Sequence, residues 1–263
     1  MKKTFLIIAL FITNLTLYAQ QNFTLLFETT VEGNFFSVDA LANIYLVNGS
    51  AITKLDDKGD VNATFNKKDF GNITSIDTRD PMRILVFYKS FATMRILDNK
   101  LVEQSTLDLR TLELNDPILI CSADVQGFWV YDNISSRLIK YNAQLQAVSI
   151  SNDLNKTVNE KINATQLVES DNWLVMNNGK DALVFDKLGN FFKPVIIPAA
   201  TTGLQMMRDN LIMFSSDKIT SIDLRKGNTT EMEMPFDCPF CKCYITASHI
   251  YTLEKSKLKV FTF

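Results

Sequence analysis

The sequence predicts an all-β protein, a six-bladed β-propeller with four antiparallel strands in each blade. The first observation is a recurring hairpin: a hydrophobic strand, a polar turn and a second strand that ends in Asp or Asn. The closing residues are Asp56, Asp98, Asn142, Asp186 and Asp223. The second observation is their spacing of 42, 44, 44 and 37 residues, with strand patterns only between them. A period of this length built from strands alone is typical of a propeller with one blade per repeat.

The number of strand-like segments predicts how the ring closes. Five consecutive units contain four such segments each, and a sixth unit contains three. The units span residues 35–66, 72–109, 118–152, 163–198, 203–235 and 243–263. We expect the β-rich run from Asn22 to Thr29 to supply the outer strand of blade six and so close the ring. Pro194 lies in a predicted outermost strand, where a proline is tolerated because one edge of that strand is unpaired.

Residues 1–20 have the pattern of a secretory signal peptide. Lys2 and Lys3 form a positive start, Thr4 to Leu17 form an apolar stretch, and Ala19 precedes the predicted cleavage site. The alternative, a membrane anchor, is disfavoured because the stretch contains Asn14 and is shorter than the roughly 20 apolar residues that a spanning helix needs. No cysteine follows closely enough for a bacterial lipid anchor. We therefore expect residues 21–263 to form one exported propeller domain, periplasmic or secreted.

The composition narrows the class of partner. The chain has 46% hydrophobic residues and 19 Phe, enough to fill a large core, and no segment after residue 20 is apolar enough to cross a bilayer. A formal charge of −2 and a pI near 5.5 give no basis for electrostatic capture of nucleic acid. We expect the partner to be another envelope or secreted protein, or a carbohydrate.

Blade three carries a family resemblance. Its segments Gly127–Asp132 and Arg137–Asn142 are similar to the G-N-I-Y-V-x-D and R-I-x-K-F-D pattern of the NHL-type and gluconolactonase-like (TolB-like) six-bladed propellers. Blade one matches the same pattern at Asn43, Ile44, Tyr45, Ile52, Lys54, Leu55, Asp56 and Gly59. Blades two, five and six keep only the apolar positions. The resemblance implies the fold, together with either a binding surface or an active site at the mouth of the channel.

The sequence CPFCKC on the link between blades five and six offers three alternatives. Cys238, Cys241 and Cys243 can form a structural disulfide, which an oxidising compartment favours, and we expect one local bridge from Cys238 to Cys241 or Cys243. A redox C-x-x-C should open a helix in a βαβ unit, and no such unit is predicted here. A metal site would need His249 as a further ligand. We expect Cys121, in the first strand of blade three, to be buried and too distant to pair.

The sequence identifies no catalytic, cofactor-binding or metal-binding residue, and we expect no cofactor. His249 is the sole histidine, and a serine nucleophile motif G-x-S-x-G is absent. The recurring Asp residues sit where an Asp side chain caps a turn. The run from Asp56 to Asp60 lacks the spacing of a calcium loop, so we interpret it as a hairpin turn.

Aromatic and lysine residues on the links and turns of one face suit a protein-binding patch. These residues are Phe65, Lys67, Lys68, Phe70, Phe91, Phe236 and Phe240. The alternative for each Phe is packing between blades. The leading interpretation is an exported, non-catalytic propeller that binds protein or carbohydrate as a scaffold module of the cell envelope. The alternative is a metal-dependent hydrolase or lyase of the gluconolactonase-like type, with its site at the channel mouth.

Overall fold

A computed structural model describes residues 23–124, 126–236, 238 and 241–263. The strands form six separate four-stranded antiparallel sheets, which confirms the predicted fold class of a six-bladed propeller. The predicted signal peptide lies outside the described residues. Within the described part of the chain, no helix has the length and apolarity needed to cross a membrane.

Each blade runs from an inner to an outer strand, and the strand bounds fall on the sequence-predicted segments. The inner strands are β2 (Phe35–Val38), β6 (Ser75–Asp77), β10 (Pro117–Ser122), β14 (Gln166–Glu169), β18 (Gly203–Met207) and β22 (Lys242–Ile245). The second strands are β3 (Ile44–Asn48), β7 (Ile84–Tyr88), β11 (Phe128–Asp132), β15 (Leu174–Asn177), β19 (Asn210–Phe214) and β23 (His249–Glu254). The third strands are β4 (Ala51–Leu55), β8 (Thr93–Leu97), β12 (Arg137–Tyr141), β16 (Asp181–Phe185), β20 (Lys218–Asp223) and β24 (Lys257–Thr262). The outer strands are β5 (Val61–Asn66), β9 (Glu103–Asp108), β13 (Ala147–Ile150), β17 (Phe191–Ile196), β21 (Thr229–Glu233) and, in blade six, β1 (Thr24–Thr30).

The outer strand of blade six comes from the other end of the chain. β1 pairs antiparallel with β24, with Thr24 opposite Thr262, Thr30 opposite Lys257 and a bulge between Leu25 and Phe27. Pro194 lies in β17, an outer strand, as its missing N–H requires. Among the described residues the helical segments are short: α1 (Leu154–Val158) and two 3₁₀ turns (Lys89–Phe91 and Leu109–Leu112).

The core lies between neighbouring blades. The middle strands β7, β11 and β16 are buried at every position, because both faces of each blade pack against another blade. Such strands read in the sequence as continuous apolar runs rather than as alternating ones. Trp129, for example, is fully buried in a cluster that joins blades three and four and includes Leu167 and Leu183. Each blade therefore depends on its neighbours to bury the apolar side chains on its two faces.

The recurring Asp and Asn residues cap the turns between the third and fourth strands, as predicted. One carboxylate oxygen of Asp186 accepts hydrogen bonds from the backbone N–H groups of Leu188 (2.8 Å) and Asn190 (2.9 Å). Asn142 uses its side-chain carbonyl in the same way in blade three. Asp56, Asp98 and Asp223 repeat the pattern in their own blades. The repeated residue is therefore structural.

We predict that Asp186→Ala lowers the free energy of unfolding by about 1–2 kcal/mol, because two backbone N–H groups lose their acceptor. Asp186→Asn is the matched control, since Asn142 shows that the amide oxygen can accept both bonds. Urea denaturation of both variants tests this, and equal losses for Ala and Asn would contradict the capping role.

Candidate functional site

The two ends of the ring carry different connections. One end, which we call the loop face, holds the links between successive blades and the turns between second and third strands. The other end, the turn face, holds the turns between first and second strands and between third and fourth strands. The aromatic and lysine residues predicted to bind a partner, as far as the structure describes them, come from the loop face.

The structure brings two of the predicted aromatic residues together on the loop face. Phe91 ends the 3₁₀ turn between β7 and β8 and is 46% exposed. Its ring lies 5.7 Å from that of Phe70, which comes from the link between blades one and two. Phe70 in turn contacts Tyr88 edge-on, with ring centroids 5.6 Å apart. We call Phe70 and Phe91, with the neighbouring Lys67, Lys68 and Lys89, the aromatic patch.

A buried arginine supports the aromatic patch from below. The Arg95 side chain is only 2% exposed, and its guanidinium lies 4.5 Å from the centre of the Phe70 ring. Asp69 accepts a hydrogen bond from Arg95, and Glu103 lies 3.2 Å from its Nε. This hydrogen bond from Arg95 holds the pKa of Asp69 below its usual range. A buried guanidinium satisfied by two carboxylates and covered by a ring fixes the position of that ring.

Other residues of the predicted binding face are placed elsewhere. The prediction that Phe65 contacts a partner is wrong. Phe65 is only 6% exposed and packs between blades one and two, because its position in β5 faces the neighbouring blade. Phe236 is half-buried against Phe261, with the Lys259 ammonium 4.9 Å from its ring centre. Phe240 lies outside the described residues.

Two of the three clustered cysteines lie at disulfide distance. Cys238 and Cys241 are paired, with Cα atoms 5.4 Å apart, and both are buried. Cys243 is a free cysteine, and burial raises the pKa of its thiol to about 12. A carboxylate oxygen of Glu254 lies within 4.8 Å of both paired sulfurs. His249 is not a member of this group, so the described geometry does not support the metal site that the sequence raised as an alternative.

Cys121 and His249 are the other side chains that the sequence analysis considered for a reactive role. Cys121 is a fully buried free cysteine, and burial raises the pKa of its thiol well above the ordinary value. His249 begins β23, and its Nδ1 lies 2.8 Å from the Ser248 hydroxyl oxygen. Neither side chain borders the cavities described below.

The sequence did not reveal the polar pocket on the turn face. This pocket of about 430 Å³ is formed by blades two, three and four, and we call it the turn-face pocket. Its basic side chains are Arg79 and Arg83, from the turn after β6, and Lys187, from the turn after β16. Ser122, Asp124 and the buried Glu169 line it from the ends of inner strands and the turns that follow.

Glu169 joins the three blades. Its carboxylate accepts hydrogen bonds from the Trp129 indole N–H (2.6 Å), the Lys187 ammonium (2.7 Å) and the backbone N–H of Asp124 (3.1 Å). Arg79 donates to the same carboxylate at 3.4 Å and to the backbone carbonyl oxygen of Glu169 at 2.6 Å. Four donors saturate this carboxylate, which is the requirement for burying one.

The other carboxylates at or just after the ends of inner strands are also engaged. Asp39 accepts from the Tyr45 hydroxyl (2.8 Å) and from both the backbone and the side-chain amide of Asn43. Asp77 accepts from the backbone N–H groups of Arg79 (3.0 Å) and Ser122 (2.7 Å). Burial raises the pKa of Asp124, but the ion pair with Lys140 and other nearby cations outweigh it, so the net shift is downward. These groups hold turns and neighbouring blades together.

Two polar groups of the turn-face pocket have fewer hydrogen bonds or ion pairs than these carboxylates. The Ser122 hydroxyl is buried and has no hydrogen-bond partner among the described residues. Arg83 donates to the carbonyl oxygen of Gly127 (3.1 Å), yet no carboxylate in the described part of the chain lies within 4 Å of its guanidinium. Burial, and to a smaller extent the Arg79 guanidinium, holds the pKa of Arg83 below its usual value despite the nearby Asp80 and Asp77.

A second cavity adjoins the first. Arg83 and Gln126 also line a groove of about 300 Å³ between blades two and three, which we call the blade 2–3 groove. Its remaining lining is largely apolar and includes Met94, Ile96, Leu107, Phe128 and Leu145. Leu145 lies in the turn after β12 at a positive φ of 61° and is 41% exposed. Arg83 thus stands where a polar pocket meets an apolar groove.

Comparison with solved structures supports the fold. Virginiamycin B lyase from Staphylococcus aureus aligns with a TM-score of 0.64 at 12% identity, covering 92% of this chain and 100% of the lyase. A streptogramin B lyase aligns with a TM-score of 0.62 at 16% identity, covering 92% and 88%. BBS1N, solved in complex with ARL6DN, aligns with a TM-score of 0.56 at 12% identity, covering 86% and 76%.

These neighbours are similar to the chain in fold alone, since a lyase and a protein-bound propeller share the architecture. No protein-family model matches the sequence, and no curated protein matches it.

Proposed function

We propose that this protein is an exported, non-catalytic β-propeller that binds another protein through the aromatic patch on its loop face. The observation that carries the proposal is Phe91: a large apolar ring, 46% exposed, at the tip of a tight turn and packed against Phe70. Export is supported by the signal-peptide pattern of residues 1–20.

The aromatic patch has the features of a contact site rather than of a loose loop. Phe70 is held between Phe91 above and Arg95 below, and Arg95 is fixed by Asp69 and Glu103. An aromatic side chain that is already immobile loses little conformational entropy on binding. Buried aromatic anchors of this kind supply most of the binding free energy in protein interfaces.

The charges around the patch indicate which partner it suits. Lys67 is neutralised by Glu103 at 2.7 Å, but Lys68 and Lys89 have no carboxylate within 4 Å among the described residues. Two free ammonium groups beside an exposed ring favour a partner that offers an apolar side chain flanked by acidic residues. The solved BBS1N propeller in complex with ARL6DN is consistent with a propeller that contacts another protein.

The hydrolase or lyase alternative is not favoured by a specific observation. The carboxylates of Asp39, Asp77 and Glu169 each accept hydrogen bonds from residues of the fold. Using them as metal ligands would leave their present donors unsatisfied, which is costly in a buried setting. The likeness to the lyases, at 12% and 16% identity, is a likeness of fold.

Site-specific photocrosslinking in the native host tests the proposal. A photoreactive phenylalanine analogue replaces Phe91 in one variant and Phe192 in the control, a Phe of the outer strand β17 that is 53% exposed. We expect Phe91 to give one discrete crosslinked protein in the exported fraction, Phe192 to give none, and Lys68→Glu with Lys89→Glu to weaken the crosslink. Equal labelling at both positions, or none at either, would refute binding at the aromatic patch.

A further inference from the structure

We infer that reduction of the Cys238–Cys241 disulfide converts this pair, together with Glu254, into a binding site for one zinc ion. The site lies at the loop-face end of the gap between blades five and six. It is independent of the proposed binding at the aromatic patch, and it uses Glu254 where the sequence had suggested His249. The disulfide and the zinc site exclude each other, because only thiolates can serve as the sulfur ligands.

The first step is the convergence of three ligand atoms. The sulfurs of Cys238 and Cys241 and a carboxylate oxygen of Glu254 all lie within 4.8 Å of one another. Sulfur ligands of a tetrahedral zinc ion are about 3.8 Å apart, so a rotation of the two reduced side chains is enough to surround an ion. The C-x-x-C spacing is also common among zinc ligands. Two thiolates and one carboxylate leave the fourth position to water.

The second step is that the backbone holds these residues in place without the disulfide. Cys241 directly precedes β22, and the register of β22 with β23 makes Glu254 its cross-strand neighbour. Cross-strand neighbours point to the same side of a sheet, so these two side chains lie next to each other. The backbone N–H of Cys238 donates to the carbonyl oxygen of Ser216 in blade five (2.9 Å). Reduction therefore breaks neither of the backbone contacts that position the ligands.

The third step is that the Glu254 carboxylate is available to a cation. Among the described residues, no group donates a hydrogen bond to it and no Lys or Arg nitrogen lies within 4 Å of it. Lys257, its cross-strand neighbour in β24, pairs with Glu28 instead (2.8 Å). Two thiolates beside this half-buried carboxylate would repel it, and a divalent cation between them offsets most of that negative charge.

The conversion balances with an external dithiol as the reductant. One thiolate of the dithiol attacks a protein sulfur and breaks the Cys238–Cys241 bond, and its second sulfur then displaces the remaining protein thiol. The dithiol leaves as a disulfide, and the protein gains two thiols. Zinc binding replaces the two thiol protons, which are released to the solvent. In an oxidising compartment without such a reductant, the chain keeps its disulfide.

Titration of the oxidised and the reduced chain with Zn²⁺ tests this inference. A phosphine reduces the protein and is removed before the titration, and thiol counting confirms that free thiols rise from two to four per chain. We expect the reduced chain to bind one Zn²⁺ and the oxidised chain, which keeps every carboxylate, to bind none at the same concentrations. Co²⁺ should give thiolate-to-cobalt charge-transfer absorption with the reduced chain only. Mg²⁺, which prefers oxygen ligands, should bind neither chain.

Variants of the reduced chain identify the ligands. Cys238→Ser with Cys241→Ser should abolish zinc binding. Glu254→Gln should weaken it at least about tenfold, since even changes to residues that support a ligand cost about 10–100-fold. Cys243→Ala is the matched control, because Cys243 is a free thiol outside the group, and it should leave zinc binding unchanged.

Thermal denaturation provides a second measurement on the intact chain. Zn²⁺ should raise the Tm of the reduced protein and leave that of the oxidised protein unchanged, because a ligand that binds only the folded state stabilises it. Circular dichroism confirms that each variant is folded. The inference fails if the reduced chain binds no zinc, if the oxidised chain binds it equally well, if Glu254→Gln has no effect, or if Cys243→Ala abolishes binding.

Discussion

A chain that lacks residues 21–30 is expected to unfold or to aggregate when it is expressed. β1 pairs with β24 along its whole length, and Val31 follows with a backbone hydrogen bond to Ser256 (2.8 Å). Without β1, the edge of β24 is open, and an exposed edge strand is a template for aggregation. The loss also removes Phe27 from the cluster between blades six and one.

The size of this effect follows from what β1 covers. Burying one Phe contributes roughly 1.5–3 kcal/mol, and each ladder hydrogen bond contributes about 0.5–1.5 kcal/mol. Several such bonds and two aromatic contacts, Phe27 and the Phe23–Phe263 pair, are lost together. The sum is on the order of 5 kcal/mol or more, comparable to the roughly 5–15 kcal/mol total stability of a folded domain.

Two controls distinguish the strand from its surface side chains. Leu25→Ser with Leu26→Ser changes side chains that are each 48% exposed and leaves the backbone ladder intact, so we expect nearly unchanged stability. A synthetic peptide of residues 21–31 added to the refolding truncated chain should restore part of the cooperative transition, since an open strand edge accepts an added strand. Guanidinium denaturation followed by circular dichroism measures both. A truncated chain with the midpoint of the intact protein would show that β1 is dispensable.

The sequence was sufficient for the architecture because the relevant signals are local. Strand segments, turn-capping residues such as Asp186 and the outer-strand position of Pro194 all depend on neighbours within a few residues. One such turn is weak evidence for a blade, but five similar turns at a regular spacing are strong evidence for a repeat. The strand order of each blade follows from the same repeat.

The candidate sites were predicted less well, because they depend on contacts between blades. Arg79 and Glu169 are 90 residues apart in the chain, and only the closure of the ring brings them within hydrogen-bond distance. The spacing of such residues carries no motif. Phe65 and Phe91 are both Phe near the loop face, yet they differ in exposure. The Phe65 side chain lies in a strand and faces the neighbouring blade, whereas Phe91 lies in a turn and is exposed. A sequence gives residue type, whereas exposure depends on the neighbouring blade.

Replacement of Glu169 is expected to be the most destabilising single substitution in the turn-face pocket. Glu169→Met leaves the buried Trp129 indole N–H without its acceptor and leaves Lys187 without its closest carboxylate. Breaking a buried ion pair by removing one partner typically costs about 3–5 kcal/mol, because the remaining charge is uncompensated. The partly exposed Lys187 can recover some hydration, so the expected loss is near the lower end of that range.

A double-mutant cycle separates the ion pair from the rest of the network. Lys187→Met should cost less in the Glu169→Met background than in the intact protein, with a coupling of about 1–3 kcal/mol, because the carboxylate that Lys187 pairs with is already gone. Glu231→Met is the matched surface control, since Glu231 pairs with Lys218 at 2.8 Å with both side chains about half exposed, and we expect a loss below about 1 kcal/mol there. Denaturation monitored by tryptophan fluorescence reports on Trp129 together with Trp173, the second tryptophan of the chain. If the Glu169 and Glu231 variants lose the same stability, the Glu169 network does not hold blades two, three and four together.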